Sequence, residues 1–148
     1  MKKIILAALG ILFLFQPHLS LADEEEAVSP AVGPDKGITA ADEHDGIKLS
    51  SEAIKNFALQ TLKLSSNPSE WEIPSKAILV SGEEVNIYRL RDGFYKRIDF
   101  TTVSKSAGKL KIKSKELKVG DEIVTSGLGF LRAAELSAFS SGEEGHGH

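Results

Sequence analysis

Two runs of alternating apolar and polar residues, Val85 to Arg91 and Tyr95 to Val103, flank the dipeptide Asp92-Gly93. Both central positions of a tight two-residue hairpin need positive φ, which Asp tolerates and Gly adopts freely, so this pairing commits the middle of the chain to antiparallel sheet. Its surroundings agree. Lys109-Leu110-Lys111-Ile112-Lys113 alternates strictly, which turns Leu110 and Ile112 inward and the lysines outward. Gly120-Asp121 turns the chain into a strand over Glu122–Ser126, and Lys76–Val80 reads as a short apolar strand closed by Ser81-Gly82. Ile73-Pro74 is extended, because the residue before proline avoids the α region. Ser50 or Ser51 caps a short helix with Glu52 in its first turn and Ile54, Phe57 and Ala58 on one face. That helix yields to period two in Thr61-Leu62-Lys63-Leu64, and Ser65–Ser69 is a turn cluster. After Gly127 and Gly129, Phe130–Ala138 forms a closing helical turn. The expected fold is mainly β: a small antiparallel β-roll or barrel with one short N-terminal helix and a short C-terminal helical turn.

The N-terminus has a different character. Lys2 and Lys3 precede the uncharged apolar run Ile4–Phe15, and Ser20 and Ala22 occupy the −3 and −1 positions of a cut before Asp23. This is the pattern of a secretory signal peptide over residues 1–22. The rival reading, a membrane anchor, needs about 20 apolar residues, and twelve fall short. No Cys follows the run, so the expected product carries no lipid anchor. Loss of Lys2 and Lys3 moves the formal charge from −3 to −5. Residues 23–45 hold eight acids and one lysine, with few large apolar side chains, and read as an acidic disordered leader. Residues 46–139 form the β domain, and 140–148 a flexible Gly/His tail. The domain of about 95 residues supports one modest core. With no Cys in the chain, packing or a partner must stabilise it, and thiol catalysis, thiolate metal sites and disulfide exchange are excluded.

Candidate functional residues are few. Glu143, Glu144, His146 and His148 in the tail are the one plausible ligand cluster. Two imidazoles one glycine apart can reach a single borderline ion with carboxylates completing the shell, which suits Zn, Ni or Cu(II). Cuprous copper is excluded, since the sole Met is Met1. Ordering a floppy tail opposes tight binding, so a solvated tail competes with weak metal capture. His44, between Glu43 and Asp45, reads as a solvated loop histidine, and His18 leaves with the signal. Ten Lys and Arg residues lie between Arg89 and Lys118 against Asp92, Asp99 and Glu116. Arg89, Arg91, Lys96, Arg97, Lys109, Lys111 and Lys113 are the candidate docking residues, facing an acidic protein surface or lipid head groups. The plainer alternative is the solvent face of strands, where lysines block edge-to-edge pairing. Export argues against nucleic acid as the partner of this stretch. Trp71, Tyr88, Phe94, Tyr95 and Phe100 read as core rather than ligand platforms. The sequence contains no Gly-x-Ser-x-Gly elbow and no phosphate-cradling loop, and the paired acids Glu24-Glu25-Glu26, Glu83-Glu84 and Glu143-Glu144 fall in expected turns or tails. No catalytic or cofactor-binding residue is expected, and the chain reads as a non-enzyme.

Four segments resemble the periplasmic adaptors, or membrane fusion proteins, of heavy-metal RND efflux systems. Ile47–Asn56 is similar to the start of those adaptors. Ile73-Pro74-Ser75-Lys76-Ala77-Ile78 resembles the segment leading into their membrane-proximal domain. Leu117–Gly127 is similar to that domain's closing turn and strand, and Phe130–Leu136 to its last helical stretch. The resemblance spans residues 46–148 and rests on the order of these segments. It departs in one large respect: the barrel, lipoyl-like domain and helical hairpin of full adaptors are replaced by Leu64–Glu72. The resemblance implies a periplasmic membrane-proximal domain without the hairpin that reaches the outer-membrane channel. The implied partner is the inner-membrane RND transporter or a full-length adaptor, with the His tail gathering divalent metal ions. The alternative is a free-standing periplasmic metal carrier or buffer, and a gene remnant without a role is a third reading. Strand edges left bare by the missing domains leave pairing with another copy of the chain open.

Overall fold

A computed structural model of the chain describes residues 31–65 and 69–140. Ten strands and two helices follow in order: β1 (Ile38–Asp42), β2 (Gly46–Leu49), α1 (Ser51–Asn56), β3 (Gln60–Lys63), β4 (Trp71–Pro74), β5 (Leu79–Ser81), β6 (Glu84–Arg91), β7 (Phe94–Ile98), β8 (Thr101–Ser106), β9 (Lys109–Lys113), β10 (Glu122–Ser126) and α2 (Leu128–Ser140). Strands β1-β2-β7-β6-β10-β3 lie side by side in one antiparallel sheet, with β5 also pairing β6, and β4-β9-β8 make a second, smaller one. The fold is mainly β and antiparallel, as the alternation implies, with a short helix after β2 and a second helix closing the described residues.

The pleat of the large sheet sorts its side chains into two cores. Along β6, Ile87 turns to one face and Tyr88 to the other, and both are fully buried. Tyr88 joins Ile47, Leu49, Tyr95 and Val124 beneath Ala53 of α1 and Leu131, Ala134 and Ala138 of α2. Ile87 joins Ile98 and Ile123 against Trp71, Ile73, Leu110 and Ile112 of the small sheet. The molecule is therefore layered: helices, large sheet, small sheet.

Local chemistry explains the elements. Ser50 is extended, and its Oγ accepts the Ala53 N–H at 3.1 Å, capping α1. Asp92 and Gly93 both have positive φ in the β6–β7 turn. Gly46 has φ +99°, and a Cβ there would lie 2.2 Å from the Tyr95 carbonyl oxygen, so β2 can approach β7 only through glycine.

Four expectations need correction. The leader taken as disordered to residue 45 instead provides β1, whose Ile38 is buried in the helix-side core and pairs with Leu49. Composition hid this because one buried Ile and a strand partner suffice to recruit a polar segment. The expected strand Tyr95–Val103 breaks at Asp99-Phe100, where the chain leaves the large sheet and enters the small one at Thr101. Lys76–Val80 is also not one strand. Ser75–Ala77 is a 3₁₀ turn after Pro74, closed by the Ile78 N–H donating to the Ser75 carbonyl, and only Leu79–Ser81 pairs with β6. The C-terminal helix runs from Leu128 to Ser140, longer than the helical turn expected there, and takes in the first residue assigned to the tail. Residues 1–22 lie outside the described residues; among those described, no helix is long and apolar enough to cross a membrane.

Candidate functional site

The seven candidate docking cations do not share a surface. Arg89 and Arg91, two apart on β6, point toward the small sheet, and Arg89 is only 6% exposed. Arg91 grips Asp121 with two parallel bonds, Nε to Oδ1 and Nη2 to Oδ2, each 2.7 Å. The Lys118 N–H adds a bond to Oδ2 at 2.8 Å, and the Asp121 side chain is 1% exposed. Arg91 and Arg89 both donate to the Glu116 carbonyl, at 2.8 and 3.2 Å, while Lys96 binds the Glu116 carboxylate at 3.0 Å. These groups pin the Leu117–Asp121 turn onto β6 and β7. The expectation that Arg89 and Arg91 dock a partner is corrected: Arg89 is almost wholly enclosed, and Arg91, a quarter exposed, spends its guanidinium on Asp121 and the Glu116 carbonyl.

Electrostatics follows from this packing. Burial pushes the Asp121 carboxyl up, but the Arg91 hydrogen bonds, the Lys118 N–H and the charges of Arg91 and Arg89 outweigh it and hold it below the ordinary value. Burial, with the like charge of Arg91, draws Arg89 down; Asp121, Glu116 and Asp45 work the other way. The Arg89 Nε is buried without a partner among the described residues.

Arg97 lies on the opposite face of the sheet. It pairs with Glu84, donates to Asn86 Oδ1 at 2.9 Å and lies 3.4 Å from Glu135 of α2. Glu135 also accepts the Tyr88 hydroxyl at 2.6 Å and pairs with Arg132, which ties α2 to the sheet. Burial, then the hydrogen bond to Glu135, pushes the Tyr88 phenol far above its usual range.

Lys109, Lys111 and Lys113 stand exposed on β9, with Leu110 and Ile112 buried between them. Lys109 binds Glu72 at 2.6 Å, Lys113 approaches Glu70 at 3.3 Å, and Lys111 sits opposite Glu72 in the ladder. Three lysines against two glutamates leave this outer face positive.

The metal candidates Glu143, Glu144, His146 and His148 lie outside the described residues. The structure instead brings together Asp42, His44 and Asp45 in the β1–β2 turn, with one ligand atom from each within 4.8 Å of the others. Asp42 Oδ1 accepts the N–H groups of His44 and Asp45, each at 2.8 Å, and His44 Nδ1 lies 3.0 Å from Asp45 Oδ1. All three are exposed, and the hydrogen bonds themselves account for the geometry. The Asp-x-His-Asp-Gly spacing is visible in the sequence, but only the paired strands turn it into a cluster.

A second feature escaped the sequence reading: the outer face of α2 exposes Phe130 and Leu136 to solvent. By contrast Trp71, Tyr88 and Tyr95 are core, as expected. No protein-family model, curated protein or solved structure matches the chain.

Proposed function

We propose that this chain is a non-enzymatic, periplasmic interaction module of a heavy-metal RND efflux system, docking on the inner-membrane transporter or on a full-length adaptor. The observation that carries the reading is local. Two of the segments on which the resemblance rests have the form it implies: Leu117–Gly127 is a turn and strand, and Phe130–Leu136 is helical. The exposed β9 lysines are the docking cations, since Arg89 and Arg91 serve the interior. The non-enzymatic part draws on the buried titratable groups Asp121 and Tyr88, each held in a hydrogen-bonded pair between packed layers.

The test is a cross-linking pull-down of the tagged protein from native membranes, with and without zinc, identified by mass spectrometry. Recovery of an RND transporter or its adaptor, lost when Lys109, Lys111 and Lys113 are all changed to Ser, is the expected result. Recovery of neither by a folded protein sinks the reading. It would favour the free metal carrier, for which the Asp42–His44–Asp45 cluster speaks. That carrier would lose zinc binding on His44→Ala or on His146→Ala with His148→Ala.

A further inference from the structure

Charge is sorted by layer among the described residues. The small sheet with its flanking turns, residues 69–77 and 101–115, holds Lys76, Lys105, Lys109, Lys111, Lys113 and Lys115 against only Glu70 and Glu72, a net of +4, and all six lysines are exposed. Residues 31–59, whose buried side chains belong to the helix-side core, hold five acids and three lysines, a net of −2. Helix α2 is neutral, its Arg132 paired with Glu135. The excess of positive charge therefore lies on the small-sheet side of the molecule. Leu110 and Ile112 turn inward there, so Lys109, Lys111 and Lys113 stand in a row on the solvent side, about 7 Å apart. Opposite them in the β8 ladder are Ser106, Ser104 and Thr101, three hydroxyl groups able to donate to an anionic oxygen. Glu72 and Glu70 hold Lys109 and Lys113, at 2.6 and 3.3 Å, while Lys76, Lys105 and Lys115 form no ion pair among the described residues.

We infer that this face binds the anionic head groups of a lipid bilayer, with the helix layer turned away from the membrane. Residue type selects a bilayer over an acidic protein. Protein interfaces draw their strength from aromatic and arginine anchors and are depleted in lysine. Here Trp71 is buried and Arg91 is spent on Asp121, which leaves lysine alone on the surface. A lysine ammonium is a strongly hydrated point charge, suited to a diffuse field rather than to a fixed geometry. Size points the same way. Three strands of about five residues cover roughly 14 by 17 Å, far below the roughly 800 Å² per partner of a standard protein interface. A charged leaflet sets no such minimum, because its field acts on every cation within a Debye length of about 10 Å, on the edge strand and flanking turns as well as on β9. Nucleic acid is read by arginine on base edges or by exposed rings that stack, and this face has neither. The inference takes up the docking face of the efflux reading and names what it touches, the lipid beside the transporter. It needs no RND protein to be tested.

Co-sedimentation of the chain from Asp23, which holds every described residue, with vesicles free of any other protein tests it, and circular dichroism melting verifies folding. Vesicles of phosphatidylglycerol and phosphatidylcholine in equal parts are expected to retain the wild type, less so as salt rises from about 0.1 M to about 1 M. Lys109→Ser, Lys111→Ser and Lys113→Ser together should weaken that binding at least about tenfold, since each lysine near an anionic leaflet is worth about fivefold. Glu70→Gln with Glu72→Gln frees two lysines and should tighten it severalfold, a salt-sensitive gain that keeps the test decisive if the triple variant melts poorly. A wild type that ignores these vesicles, or binds phosphatidylcholine alone equally well, overturns the inference. So does a folded triple variant that binds as the wild type does. If the vesicles fail while the native-membrane pull-down recovers an RND protein through the same lysines, the face docks on acidic protein, and the lipid assignment falls without the efflux reading.

Discussion

The cations of β6 and those of β9 come from one basic stretch of sequence and do opposite things. On β6, Arg91 is locked onto a buried carboxylate and Arg89 is almost wholly enclosed; on β9, Lys109, Lys111 and Lys113 stand in water. The difference lies in the layers, not in the residues. Strand β6 is interior to its sheet, with helices packed on one face and the small sheet on the other, so the side chains of Asn86, Ile87, Tyr88 and Arg89 are all buried and Arg91 beyond them is paired. Strand β9 covers the core with one face and turns the other to solvent. Arginine suits the first setting, because its planar fork satisfies a carboxylate in two bonds, and lysine suits the second, where a strongly hydrated point charge is needed.

Removing one partner of the buried pair should give the largest effect. Arg91→Met leaves Asp121 charged and enclosed, at an expected cost of about 3 kcal/mol in urea unfolding. A cost under a third of that would mean the clamp is solvated and the contrast with β9 is false. Acid titration of stability sharpens the same point. The Asp121 carboxyl is held below its ordinary value of 3.8, so its contribution is present above that pH and is lost as pH falls through the lower folded value. Asp121→Asn should flatten the acid limb of the stability profile without abolishing it, since Asp42, Glu52 and Glu72 are also held low. Ser50→Ala, which removes a cap and touches neither cluster, should cost about 1 kcal/mol and calibrates the scale. Arg89→Met is expected to change stability by less than about 1 kcal/mol in either direction, because the cost of burying a guanidinium with an unpartnered Nε offsets its hydrogen bond to the Glu116 carbonyl and its attraction to Asp121. Smallest of all, Lys109→Ala with Lys113→Ala should move the melting temperature by about a degree or less, as exposed ion pairs usually do.

Local rules read well where one residue's chemistry settles the matter. The Ser50 cap, the Asp92-Gly93 turn and the Lys-Leu-Lys-Ile-Lys alternation of β9 each depend on neighbours within a few positions. The failures share a cause. Composition marked residues 23–45 as unable to fold alone, yet β1 borrows its partner from β2 and its burial from α2. Alternation cannot report that the chain changes sheets at Asp99, because both sheets have period two. Charge density marked Arg89 and Arg91 as surface, since nothing local reveals that β6 is covered twice. The acidic turn at Asp42–Asp45 and the apolar face of α2 became visible only when strands closed the first and packing chose which side of the second to bury.

By itself, then, the sequence determined that this protein is built of antiparallel strands with a capped helix near the start and a helix at the end. Those features follow from φ preferences, side-chain period and hydrogen bonds over short separations. Tertiary structure alone decided which cations are structural, where Asp121 finds its counter-charge and which apolar residues remain outside. Each of those outcomes depends on the company a side chain keeps across layers, and burial is a property of the whole packed arrangement rather than of any segment.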